Sequence, residues 1–195
     1  GVINTRGIFN YGKLVLTSGT INAIDGNGGY GVRNYSGATF VMNGGKIISS
    51  DGGVRVASSS SEKHTYVSAS FEMNGGLIDA AWDGVFVQQS DAIYDKLSVT
   101  INGGTIESDL NPIRVYGPAP TAYVDGNNCM NITLAGGTLT YTGTETREWV
   151  IENILRVGGG SSVETIVANG ELVVSSAIAQ STTAPDGYKW SANDN

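Results

Sequence analysis

Four aspartates recur at comparable places along this chain: Asp25, Asp51, Asp83 and Asp109, each shortly after a Gly-x-Ile step. A few residues further on stand Arg33, Arg55, Phe86 and Arg114. Carboxylates beside guanidinium groups point to two kinds of chemistry. Two carboxyl groups at a set separation, one with a raised pKa, can cleave a glycosidic bond. A row of arginines can instead hold planar carboxylates bidentately, as on a uronate sugar. A catalytic reading would therefore use Asp51, Asp83 and Asp109 with Arg55 and Arg114. The plainer account is stronger. Asp25-Gly26, Asp51-Gly52 and Asp83-Gly84 are turn pairs in which the carboxylate bonds nearby backbone, and an exposed Arg–Asp pattern contributes little. No catalytic residue is expected.

Binding without chemistry has better candidates. Tyr35, Trp82, Phe86 and Tyr116 lie in bends or at outward strand positions, where aromatic faces stack on sugars or on a protein ligand. His64 is the single histidine and sits in the polar run 58–65, so no Ser-His-Asp or Cys-His arrangement can be drawn. Cys129 is also alone, which excludes an internal disulfide and a cysteine metal site. Asp25-Gly-Asn27 and Asp125-Gly-Asn127-Asn128 begin like calcium loops but lack the closing Glu. They read as turns. No cofactor is expected, with calcium a minor alternative.

What must position these side chains is a repeated phrase. It reads Phe40-Val-Met-Asn-Gly-Gly-Lys-Ile47, and returns as Phe71-Glu-Met-Asn-Gly-Gly-Leu-Ile78. Val99-Thr-Ile-Asn-Gly-Gly-Thr-Ile106 and Ile132-Thr-Leu-Ala-Gly-Gly-Thr-Leu139 follow, and Leu14–Ile21 is an earlier, altered copy. The starts lie 26, 31, 28 and 33 residues apart. Such a period marks a solenoid whose coils bury their apolar faces against one another. The apolar residues alternate as in a strand, and the Gly-Gly step suits a sharp bend between two sheet faces. A second phrase, Gly53-Val-Arg-Val56, Gly84-Val-Phe-Val87 and Pro112-Ile-Arg-Val115, starts eight residues after each Gly-Gly. Gly7–Gly12 and Gly31–Gly37 look like earlier versions of it.

Each coil is thus expected to hold two clear strands, with room for a third in variable segments such as 58–69 and 89–98. No helical periodicity intervenes, so the fold class is all-β: a right-handed parallel β-helix of five to six coils over residues 1–178. Strands around 162–176, centred on Asn169-Gly170, form a β cap or a worn coil that covers the end of the stack. Segment 143–157 is either a strand or a short helix, and 179–195 reads as a polar linker or tail. The alternative is an antiparallel β-sandwich, which does not explain in-phase repetition of a whole phrase.

Composition narrows the partners. Gly is 28 of 195 residues, Pro only 4 and charged residues 15%. Many turns and few interruptions of sheet hydrogen bonding follow. The net charge of −7 makes nucleic acid a poor partner, and no apolar run is long enough for membrane insertion. The strand-like phrase at Gly1 reads as cut from a longer protein, so other domains of a parent chain are expected neighbours.

The Asn-Gly-Gly-x-Ile phrase, preceded by Gly-Ile/Val-x-Asn-Tyr, resembles the right-handed β-helix repeat regions of large cell-surface proteins of Gram-positive gut anaerobes. The resemblance covers about residues 7–175. It implies an extracellular module of a bacterial cell surface or cell wall, non-enzymatic and adhesin-like or a spacer, with a glycan or host surface protein as partner. It implies no shared catalytic set. Other parallel β-helices are polysaccharide lyases or glycoside hydrolases, which keeps cleavage of an acidic polysaccharide as the alternative function.

Overall fold

A computed structural model describes residues 1–24, 29–35, 37–57, 68–88, 96–116 and 130–144, with the backbone of three further strands. The described residues hold nineteen strands and no helix, and every strand pairing among them is parallel. One sheet of eight strands runs Val2–Asn4, Thr20–Ala23, Lys46–Ser49, Leu77–Ala80, Thr105–Ser108, Thr138–Tyr141, Gly170–Val174, Tyr188–Ala192. A sheet of six runs Ile8–Asn10, Val32–Asn34, Val54–Ala57, Asp83–Gln88, Asn111–Tyr116, Leu155–Gly158. A sheet of five runs Lys13–Leu16, Thr39–Met42, Ser68–Met73, Lys96–Ile101, Met130–Leu134. The chain visits the five-, eight- and six-stranded sheets in turn, so each coil has three sides. This is a parallel β-solenoid, and the sandwich alternative falls.

The interior follows from stacking like on like. Phe40 lies in register with Phe71, Met42 with Met73, and Ile47 with Ile78 and Ile106 in turn. All are buried, and the two phenyl rings stack at 5.0 Å. Each such side chain contributes about 1.5–3 kcal/mol of burial, which a lone coil could not obtain.

The Gly-Gly bend joins the five-stranded sheet to the eight-stranded one. Its second glycine takes positive φ, as Gly76 does at 97°, and a Cβ there would stand 2.6 Å from the Gly45 carbonyl oxygen. Neither condition admits an L side chain. The preceding asparagines stack as an exposed amide ladder, Asn74 donating to Asn43 at 2.9 Å and Asn102 to Asn74 at 2.8 Å. Ala135 lacks the amide that would carry the ladder into the next copy.

Two expectations need correction. The third strand of a coil is the segment directly after Gly-Gly, such as Leu77–Ala80, because the bend puts it on a different sheet from the residues before it. Of the variable segments, residues 68–69 and 96–98 belong to the five-stranded sheet, and residues 58–67 and 89–95 lie outside the described ones. The five to six coils reduce to about three complete turns, beginning at Val32, Val54 and Asp83. Only these have a described neighbour above and below on all three sides. From segment 143–157, Leu155–Gly158 is a strand.

Candidate functional site: a cationic and aromatic sheet face

Along the six-stranded sheet the register aligns Phe9, Arg33, Arg55, Phe86, Arg114 and Arg156 in one row. Flanking positions such as Val54, Val56, Val85, Val87, Ile113 and Val115 are buried in the core, so strand alternation turns Arg33, Arg55, Phe86 and Arg114 outward. Neighbouring rungs stand about 4.8 Å apart. Guanidinium groups lie over rings: Arg33 over Phe9 at 5.1 Å and Arg114 over Phe86 at 4.9 Å. Such contacts hold a cation in place over the face of a ring.

Phe86 is only 8% exposed. Tyr30 stacks on it at 6.1 Å and covers Gly52, where a side chain would collide with the tyrosine ring. Phe86 is therefore the floor of the site. Burial, then the charge of Asp83, raises the Tyr30 pKa and keeps its phenol protonated. From the preceding strand Arg55 donates through Nη2 to Gln88 Oε1, on the strand of Phe86, while its Nε is buried without a partner.

Asp83 sits beneath this face, 1% exposed. Asn111 Nδ2 donates to its Oδ1 at 2.6 Å and Arg114 Nη1 to its Oδ2 at 3.3 Å. Burial pushes its pKa up; the bond from Asn111 and the Arg114 charge oppose that shift, and Asp51 adds to it. Asp83 anchors Arg114 on the phenyl ring, and the pair leaves Asn111 Oδ1 buried and unpartnered.

The expected line of carboxylates does not form. Asp83 pairs in register with Asn111. Asp109 follows Ser108, the partner of Ala80, and so stands level with Ala81. Asp51 stands two residues past Ser49, level with Trp82. Stacking thus sets the three aspartates at three successive positions of the bend. Asp109 is exposed and accepts a hydrogen bond from Thr142 Oγ1 at 2.6 Å. Asp25, His64, Cys129 and Asp125 lie outside the described residues.

Of the aromatic candidates, Trp82 is 57% exposed and Tyr116 44%. Tyr116 stands level with Gln88 at the edge of the arginine row. Tyr35 is half-buried and stacks with Tyr11 at 5.2 Å and Phe9 at 6.1 Å. Tyr11 and Phe9 escaped the sequence reading, although Gly7-Ile-Phe-Asn-Tyr repeats as Gly31-Val-Arg-Asn-Tyr and carried the signal. Among the described residues no three His, Cys, Asp or Glu side chains gather as metal ligands. No family model, curated protein or solved structure matches the chain.

Proposed function

We propose that the chain is a non-enzymatic module of a bacterial cell surface, adhesin-like, which binds an anionic glycan or an acidic surface of a host protein along its six-stranded sheet. The observation that carries this reading is the outward row of Arg33, Arg55, Phe86 and Arg114. A parallel sheet holds these groups at fixed intervals, so little side-chain freedom remains to be lost when an extended ligand lies along the solenoid axis. Aromatic rings under Arg33 and Arg114 hold those two guanidinium groups in place.

The test is a glycan array probed with the purified chain, with calcium and with chelator, followed by reducing-sugar release on each polysaccharide bound. Binding is expected without release, and Arg55→Ala should weaken it about tenfold, as loss of a charge-assisted bond does. Calcium should make no difference. Silence on the array would leave a spacer.

A second reading, cleavage of an acidic polysaccharide, draws support from Asp83, a buried carboxylate of raised pKa beside a guanidinium. Sugar release abolished in Asp83→Asn would establish it and displace the binding reading.

A further inference from the structure

A separate cleft lies at the bend between the eight- and six-stranded sheets, where three successive coils stack. Its volume is about 370 Å³, and Ala81, Trp82, Asp109, Leu110, Thr142 and Gly143 line it together with Thr144. Ala81, Asp109 and Thr142 occupy the same level of their coils; Trp82, Leu110 and Gly143 follow them. The last of these positions is closed to any side chain. Where the lower coils carry an indole and a leucine, Gly143 carries nothing, and a side chain there would collide with the Asp109 carbonyl oxygen and the Tyr141 hydroxyl.

The walls are held by main-chain bonds. The Asp109 N–H donates to the Ala80 carbonyl at 3.1 Å, and the Trp82 N–H to the Asp51 carbonyl at 3.0 Å. Ser108 Oγ donates to the Trp82 carbonyl and accepts from the Leu110 N–H. Oδ1 of the Asp109 carboxylate accepts a hydrogen bond from the Thr142 hydroxyl at 2.6 Å. An exposed indole thus stands beside an exposed carboxylate, with a hydroxyl one coil above.

From this arrangement we infer that the cleft is a binding site for one neutral pyranose. The apolar C–H face of a sugar ring covers the indole, two neighbouring hydroxyls donate to Asp109, and Thr142 bonds a ring substituent. A uronate is disfavoured, because its carboxylate would meet Asp109. The inference rests on the reading of the chain as a glycan-binding module but uses none of the arginine row.

The probe is a set of four methyl pyranosides (glucoside, galactoside, mannoside and N-acetylglucosaminide) titrated into the full chain. The readout is the Trp82 indole N–H resonance, assigned by its disappearance in Trp82→Phe. Saturable movement of that resonance by at least one glycoside is expected. Asp109→Asn should weaken the binding about tenfold, and Lys46→Ala, on the eight-stranded sheet outside the cleft lining, should leave it unchanged. Asp109 and Lys46 are exposed, and circular dichroism verifies that each variant folds. If no glycoside moves the Trp82 signal, or Asp109→Asn binds as tightly as the parent, the inference is overturned. Array binding that depends on Arg55 alone would overturn it too, while leaving the proposed function standing.

Discussion

Asp83 is the residue on which the cationic face turns. Its carboxylate, 1% exposed, is held by an amide and a guanidinium, yet burial keeps its pKa above the ordinary aspartate value. The folded chain therefore binds the proton more tightly than the unfolded one. The stabilisation from this group is complete below the unfolded value of about 3.9 and is lost as pH rises through the higher folded value. Melting temperatures measured across this range should show the parent losing stability relative to Asp83→Asn as pH rises. A difference that stays flat, or grows with pH, would mean that Asn111 and Arg114 outweigh burial. None of this is readable from Asp83-Gly84, which looks like any turn pair. Its burial comes from Asn111 and Arg114, 28 and 31 residues further along the chain.

At the scale of strands, the apolar alternation and the exposed ladder are different kinds of support. Phe71 stacks on Phe40 in the sealed interior, whereas Asn74 bonds Asn43 and Asn102 in contact with water. Truncating the first removes burial and leaves a cavity; truncating the second exchanges amide bonds for bonds to water. Urea unfolding should give about 3–5 kcal/mol for Phe71→Ala and under about 1 kcal/mol for Asn74→Ala. Comparable costs would show that the ladder, and not the core, specifies the coil. The strand before Gly-Gly and the bend were legible because period-two alternation and glycine each leave a local mark. The strand after it was misjudged, since four residues such as Leu77–Ala80 are too few to declare a periodicity.

For the whole molecule, charge is organised against its average. The net charge is −7, yet one sheet face carries the arginine row, while the neighbouring bend carries the exposed carboxylate of Asp109. Salt should separate the two surfaces. Affinity for polygalacturonate at the sheet face should fall at least several-fold between about 50 and about 300 mM NaCl as screening shortens. Affinity for a neutral methyl glycoside at the Trp82 cleft should hold constant over the same range, measured by titration of both ligands. An equal response would assign both ligands to one surface.

By itself the sequence determined the solenoid: a phrase that recurs every 26 to 33 residues can bury its apolar positions only against its own copies. It also determined that Arg33, Arg55, Phe86 and Arg114 share a face, because they hold one place in a repeated phrase. The tertiary structure decided everything that depends on exact register between coils. Spacings vary by several residues, so aspartates that look equivalent in the chain fall at successive positions of the bend. Tertiary packing also buries Phe86 under Tyr30 and Arg114, and brings Trp82, Asp109 and Thr142 from successive coils to one cleft.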